Sequence, residues 1–226
     1  MANRLIALQA EKVIVADDHP LFRTAIKEAL QASQGETTFL EANSFETLQV
    51  LVDENQDVDL VLLDLHMPGV SGFAGLVYLC KRYPSVPVVI ISANEDPVVI
   101  KRALEHGAAG FIPKSSSIDT ITQAISSILM GEIWAPALTR SDLPGNNSSE
   151  TELAERMAKL TPQQFKVLMM MSQGLLNKQI AYDLGVSEAT IKAHVTAIMG
   201  KLGVSNRTQA VLAASKLSVS NPNSTL

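Results

Sequence analysis

Leu60-Val-Leu-Leu-Asp64-Leu-His-Met-Pro68-Gly-Val-Ser-Gly72 decides the reading of this chain. Leu60 to Leu63 is apolar at every position, where a strand with one wet face would alternate. Such a strand is buried on both sides, as central strands of a parallel sheet are. It ends on Asp64, after which Pro68, Gly69 and Gly72 turn the chain. A carboxylate therefore stands at the carboxyl end of a buried strand, where open α/β sheets keep their ligands.

The pattern continues on either side. Lys12 to Ala16, Thr37 to Glu41, Val86 to Ile91 and Gly110 to Pro113 also read as strands. Between and after them, helices are expected over His19 to Gln34, Ser44 to Val52, Ser71 to Arg82, Asp96 to His106 and Ser117 to Met130. In the last of these, Ile118, Ile121, Ile125 and Ile128 share a face. This alternation predicts an α/β domain over residues 1–131, a five-stranded parallel sheet with helices on both faces. Residues 132–158 read as a linker. Ser141-Asp-Leu-Pro-Gly-Asn-Asn-Ser-Ser149 has linker composition, and a helix is expected at 150–160.

From 159 to 226 only short helices are expected. Thr161-Pro162-Gln163-Gln164 is a capping box with Pro at the first helical position, and Gly174 ends that helix. Asn177 is expected to cap a second helix, to Leu184, and Ser187 a third, to Leu202. The third turns Ile191, Val195, Ile198 and Leu202 inward. A fourth covers 208–217, making an all-α four-helix domain.

Composition excludes several classes. With 46% hydrophobic and 18% charged residues, the chain is neither disordered nor collagenous. Cys80 is the only cysteine, which forbids an internal disulfide and points to a reducing compartment. Val86 to Ile91 falls far short of the roughly 20 residues a membrane helix needs. The Leu5 to Leu8 run is too short for a signal-peptide core. The protein is expected to be cytoplasmic, with no membrane contact. Its 18 basic and 23 acidic residues give a net charge of −5, which taken whole disfavours nucleic acid. Divided, residues 1–130 carry 9 basic and 16 acidic groups (−7), 131–150 carry 1 and 3 (−2), and 151–226 carry 8 and 4 (+4). Halves so unlike in charge suggest different partners.

Asp17 and Asp18 follow the first strand and Asp64 the third, so all three open on one rim. Clustered carboxylates repel one another, and a divalent cation relieves the conflict. Mg²⁺, which takes one or two carboxylates, water and a phosphoryl oxygen, suits such a site. Lys114, after the fifth strand, brings a cation to the same rim. Any one of these Asp residues could merely cap a turn; it is their combination with Lys114 that points to phosphoryl chemistry.

These residues resemble the receiver domain of two-component response regulators, across nearly all of residues 12–130. Asp17-Asp18 looks like its acidic pair, the Asp64 to Gly72 stretch like its phosphoacceptor loop, and Lys114 like its lysine. Ser92 and Phe111 fall at its hydroxyl and aromatic switch positions. The resemblance implies a flavodoxin-like fold. It also implies that Asp64 accepts a phosphoryl group from a sensor histidine kinase. Mg²⁺ would be held by Asp18 and Asp64, by the backbone carbonyl of His66, and by Asp17 through water. Ser92 would then move toward the phosphoryl group and leave room for Phe111 to turn inward. Lys114 is followed by Ser115, where many receivers have Pro, so no cis peptide is expected there.

In the helical domain, Leu184-Gly185-Val186-Ser187 joins two helices in a helix-turn-helix shape. The second helix leaves Thr190, Lys192, Ala193 and Thr196 outward, short side chains beside one cation, suited to approaching base edges. Lys166, Lys178, Lys201 and Arg207 are available for phosphates, and His194 is either a phosphate contact or a packed residue. Leu160-Thr-Pro162, Asn177-Lys-Gln-Ile-Ala181, Val186-Ser187, Thr190-Ile-Lys-Ala-His194 and Lys201-Leu-Gly-Val204 resemble the LuxR-type helix-turn-helix, over about 158–214. The whole chain thus resembles the NarL/FixJ class of response regulators. That class usually has Arg-Glu where Gln163-Gln164 stands here, so an ion pair through that Glu is expected to be lost.

The implied function is a phosphorylation-activated transcriptional regulator, not an enzyme. It would bind double-stranded DNA as a homodimer through 208–217, where Ala210, Val211, Ala214 and Leu217 form the candidate surface. Rival readings are a Mg²⁺-dependent phosphatase with Asp64 as nucleophile, or a receiver with a protein- or RNA-binding output. Against the first, His66 stands where such hydrolases place a second Asp. Cys80, Trp134 and Met169 to Met171 read as packing residues, His19 as turn packing and His106 as a residue near a helix end. Lys81-Arg82 and Lys101-Arg102 read as solvated helix ends.

Overall fold

A computed structural model of the chain describes residues 10–34, 37–136, 148–217 and 219. Most of the linker stretch at 141–149, the Leu5 to Leu8 run and the end of the chain lie outside the described residues. The first unit alternates β1 (Lys12–Ala16), α1 (Pro20–Gln34), β2 (Thr38–Ala42), α2 (Phe45–Glu54), β3 (Leu60–Asp64), α3 (Ala74–Arg82), β4 (Val88–Ser92), α4 (Pro97–Glu105), β5 (Gly110–Pro113) and α5 (Ile118–Leu129). The strands pair in parallel in the order β2-β1-β3-β4-β5, as a flavodoxin-like sheet requires. Strand order reverses at β1, so the crevice between the ends of β1 and β3 is the place for a ligand.

Burial follows the apolar runs. Every residue of β3, β4 and β5 is buried. One apolar layer, with Ile26, Leu30, Ile121 and Ile125, covers the face under α1 and α5. The other, with Phe45, Leu76, Ile100 and Phe111, lies under α2, α3 and α4. Ile118 departs from the expected stripe and is exposed, at the first position of α5. Helix α3 starts three residues later than the sequence suggests. Gly72, at φ 58°, donates its N–H back to the Leu65 carbonyl at 3.1 Å, so Ser71 and Gly72 belong to the turn. After α5 the chain runs beside β5, where Phe111 N–H donates to the Trp134 carbonyl at 2.9 Å. Only glycine fits at position 110, since a Cβ there would stand 2.9 Å from that carbonyl oxygen and 2.6 Å from Ile128 Cδ1.

The second unit comprises α6 (Ser148–Ala158), α7 (Pro162–Ser172), α8 (Asn177–Asp183), α9 (Glu188–Leu202) and α10 (Arg207–Ser215). The capping box of α7 forms as expected, with Gln164 Oε1 accepting from Thr161 N–H at 3.1 Å. Asn177 does not cap α8. Leu176 occupies that position, and Gln179 Oε1 accepts its N–H at 2.7 Å. Ile191, Val195, Ile198 and Leu202 of α9 are all buried, as their spacing requires. That helix ends at Gly203, whose positive φ suits a left-handed cap and whose missing Cβ leaves room for Arg156 of α6.

The two units pack together. Helix α6 lies on α3, bringing Leu153, Ala154 and Met157 into the receiver-side core. Phe165 of α7 sits between Phe45 and Tyr78, with ring centroids 5.3 and 4.8 Å away. Glu46 pairs with Lys166 at 2.6 Å on the rim of this contact.

Candidate functional site

The ends of β1 and β3 lie side by side because Ala16 pairs with Leu63. Asp17 and Asp64 are both buried, whereas Asp18 points to the rim with about a third (35%) of its side chain exposed. Ligand atoms of Asp17, Asp18, His19 and Asp64 lie within 4.8 Å of one another. Lys114 Nζ stands 2.6 Å from Asp17 Oδ2 and 3.0 Å from Asp64 Oδ2, bridging the two buried carboxylates. The sequence thus brings together Asp17, Asp18, Asp64 and Lys114 as expected.

The charges explain one another. Burial pushes the Asp64 carboxyl above the usual range, and the charge of Asp17 adds to this against the pull of Lys114. Burial also disfavours the Lys114 ammonium, but its bonds to Asp17 and the charge of Asp64 outweigh that and raise it overall. Three carboxylates facing one ammonium leave an excess of negative charge. A divalent ion would offset that excess. The donors are hard carboxylate oxygens, the chemistry Mg²⁺ prefers.

Some residues of the site escape local sequence reasoning. His19 is more than turn packing: its Nδ1 lies 3.1 Å from Asp17 Oδ1 and 2.7 Å from Asp18 Oδ1. Arg23 donates to the Asp17 carbonyl at 2.7 Å and to Glu41 at 2.9 Å, tying β1, α1 and β2 together beneath the acidic pair. Lys114 Nζ also lies 4.8 Å from the Phe22 ring centroid. The Arg23–Lys27 spacing on α1, with both cations on Glu41, was the one available signal. His66 is half-buried, and that burial pushes its imidazole below the usual value.

The two switch positions lie in the core. Ser92 and Phe111 are both fully buried, with Phe111 already turned inward onto the α4 side of the sheet. Ser92 Oγ accepts from Asn94 N–H at 3.1 Å, and its carbonyl accepts from Lys114 N–H at 2.8 Å. Among the described residues there is no cis peptide.

In the helical unit, Thr190, Lys192, Ala193 and Thr196 lie exposed along α9, Lys178 is exposed on α8, and His194 is half-buried. Two expected phosphate contacts turn inward instead. Lys201 Nζ donates to the Lys159 carbonyl and to Gln164 Oε1, both at 2.7 Å. Arg207 donates to Asn177 Oδ1 at 2.8 Å and to the Leu175 carbonyl at 2.5 Å. Both cations close the helical core because their neighbours leave carbonyl oxygens unsatisfied. Gln164 thus accepts from a cation as a neutral amide, without an ion pair. Lys166, paired with Glu46, is also occupied.

Among the remaining residues, Cys80 donates to the Gly107 carbonyl, and burial pushes its thiol up to about 12, so it packs and does not react. His106 is buried, with its ring 5.2 Å from that of Phe73. Arg102 is not a solvated helix end: its guanidinium stacks 4.9 Å from the Phe73 ring centroid. Among the described residues no helix is long and apolar enough to cross a membrane.

Comparison with known proteins agrees with this geometry. Residues 13–126 match the response regulator receiver domain family, and residues 158–214 match the bacterial regulatory proteins of the luxR family. The glycerol metabolism activator of Pseudomonas putida is 42% identical over 208 residues, 90% of this chain and 94% of that protein. The nitrate/nitrite response regulator protein NarL of Escherichia coli is 30% identical over 201 residues, 88% and 93% of the two chains. Among solved structures, RcsB of Salmonella typhimurium aligns with a TM-score of 0.51 at 23% identity, covering 92% of this chain and 100% of that one, which bears on the fold.

Proposed function

This chain belongs to the two-component response regulators that join a receiver to a LuxR-type helix-turn-helix, a family of DNA-binding transcription regulators and not of enzymes, and on that premise we propose that Asp64 is its phosphoacceptor. The observation that carries the proposal is the set of three carboxylates at the β1 and β3 ends, with Lys114 bridging the two buried ones. An Asp64 oxygen attacks the phosphorus of a kinase phosphohistidine. The P–N bond breaks, the imidazole leaves, and Asp64 holds an acyl phosphate. Asp17, Asp18, Asp64 and the His66 carbonyl would hold Mg²⁺, which supplies charge neutralisation for the phosphoryl oxygens. Lys114 leaves its place between Asp17 and Asp64 to pair with a phosphoryl oxygen. The Ser92 hydroxyl turns from Asn94 to a second oxygen. The backbone N–H of Lys114 donates to the Ser92 carbonyl, which keeps the two residues side by side at the ends of β5 and β4. Phe111, already inward, supports the β5–α4 packing on which the change acts.

The output side follows from α9. Thr190, Lys192, Ala193 and Thr196 face the major groove, with Lys178 and His194 on phosphates. Lys201 and Arg207 hold the reading head together from inside. The units divide at 1–131, 132–158 and 159–226, and 208–217 supplies the homodimer surface that pairs two half-sites. The protein works in the cytoplasm with a sensor histidine kinase. The phosphatase reading is not favoured by the family. Labelling with a small acyl phosphate in the presence of Mg²⁺ tests the site: wild type takes label, Asp64→Asn takes none. Equal label in the variant removes Asp64 from the role.

A further inference from the structure

We infer that Glu188 and Lys192 of α9 act as one reading unit that selects a G·C base pair, and that Glu188 also holds down binding to other sequences. The inference rests on the proposed entry of α9 into the major groove. The two residues stand one turn apart, with Lys192 Nζ 3.1 Å from Glu188 Oε1. Both stay open to solvent, with 65% of the Lys192 side chain and 47% of the Glu188 side chain exposed. The rest of the face offers few hydrogen bonds. Thr196 donates its hydroxyl to the Lys192 carbonyl at 3.0 Å, Thr190 Oγ1 lies 2.9 Å from the Ser187 hydroxyl, and the Ala193 side chain has no polar atom. Lys201, at the far end of the helix, is turned inward. A hydrogen-bonded choice among bases therefore falls to the Glu188–Lys192 pair.

The pair matches one base-pair edge. In the major groove a G·C pair presents the N7 and O6 acceptors of guanine and then the N4 amino donor of cytosine. O6 and N4 are hydrogen-bonded to each other and so lie about 2.9 Å apart. The ammonium and carboxylate of the pair have nearly the same separation. The ammonium, with three protons, serves N7 and O6, and the carboxylate accepts the outward proton of N4. Each ion keeps its neighbour as water leaves, so neither charge is buried alone. An A·T edge sets the adenine amino group between its two acceptors, with a thymine methyl beside them, so the ammonium meets no adjacent pair of acceptors. Elsewhere on DNA, Glu188 works against binding. Lys201 and Arg207 point inward and Lys166 is paired with Glu46, which leaves Lys178 and Lys192 as the outward cations of α8 and α9. Glu188 offsets the second of these, so attraction to the phosphate backbone alone is weak.

The test selects bound duplexes from a randomised library, using the full-length chain with Mg²⁺ and beryllofluoride throughout. Wild type is compared with Glu188→Gln, which leaves the Ser187 cap of α9 in place. Wild type is expected to enrich a G·C pair at one position of each half-site. Glu188→Gln is expected to lose that preference or move it to A·T, since Gln pairs with the N6 and N7 of adenine. The ratio of affinities for the selected duplex and a scrambled one should fall about tenfold. The salt slope on the scrambled duplex should steepen by about 0.9, as Lys192 becomes free for a phosphate. The same base pairs selected at the same ratio by both proteins overturn the inference, and so does a wild type that enriches no G·C position. Failure of the α9 reading shows differently. In that case neither Glu188→Gln nor Lys192→Ala changes affinity for any duplex, whereas a failed pairing alone leaves Lys192→Ala weakened on all of them.

Discussion

Phe165→Ala cuts the contact between the two units at its centre. Phe165 is 1% exposed, and its ring lies against Phe45 at 5.3 Å and Tyr78 at 4.8 Å, both on the receiver. Truncating a buried Phe costs about 3–5 kcal/mol through lost transfer energy and the cavity left behind. Two ring pairs at about 0.5–1.5 kcal/mol each supply part of that sum. The Glu46–Lys166 pair cannot compensate, because a largely exposed ion pair is worth about 1 kcal/mol or less. At 1.4 kcal/mol per power of ten, docking weakens by about two to three and a half powers of ten. The α7 residues Leu168 and Met171 are buried as well, which leaves the helical unit a core without Phe165. Urea unfolding is the assay, followed by far-ultraviolet circular dichroism and by Trp134, the chain's single tryptophan, which packs beside β5. In wild type the two signals are expected to change together. In Phe165→Ala the circular dichroism should split into two transitions, with Trp134 following only one. A single transition at the wild-type midpoint, with both probes coincident, would refute the reasoning.

Other perturbations follow from the same geometry. The Asp64 carboxyl is raised in the folded state, chiefly by burial. Its contribution to stability is therefore complete below the ordinary carboxylate pKa and is lost as pH rises through the raised value. Asp64→Asn should raise the melting temperature of the metal-free protein at pH 7 and leave it unchanged near pH 3, measured by calorimetry. Saturating wild type with Mg²⁺ at 100 times its dissociation constant should add about 2.7 kcal/mol of stability, and much less in Asp64→Asn, read from urea midpoints. Arg207→Ala should cost about 1.5–3 kcal/mol, since it removes charge-assisted bonds to Asn177 and the Leu175 carbonyl. The salt slope of DNA binding should stay unchanged in that variant, whereas Lys178→Ala should lower it by about 1. Gly203→Ala should destabilise by about 1 kcal/mol or more, because position 203 has φ 68° and Arg156 stands where the Cβ would go.

Local patterns carried a large part of the fold. Apolar runs marked β3 and β4 because a strand buried on both faces is apolar along its length up to the polar residue at its carboxyl end, and the Thr161 and Ser187 caps marked helix starts because capping bonds close within three residues. The acidic rim was legible for a similar reason: in a parallel sheet, residues just past strand ends come to one edge whatever the loops do. Where reading failed, a competing bond was responsible. Gly72 bonded back to Leu65 and shortened α3, and Gln179 displaced Asn177 as the source of the α8 cap.

By itself the sequence determined the order of strands and helices, the carboxylates at the rim, the helix-turn-helix and the small outward face of α9. These depend on spacing, propensity and capping, all short-range along the chain. Tertiary structure alone decided where long cations go. Lys201 and Arg207 look like Lys178 in sequence, yet they turn inward because unsatisfied carbonyls of Lys159 and Leu175 come within reach. Arg102 resembles a solvated helix end until a carbonyl 114 residues away arrives beside it. The side chain of Arg or Lys is flexible and its charge needs a partner or water, so its role is settled by whichever surface folding brings near.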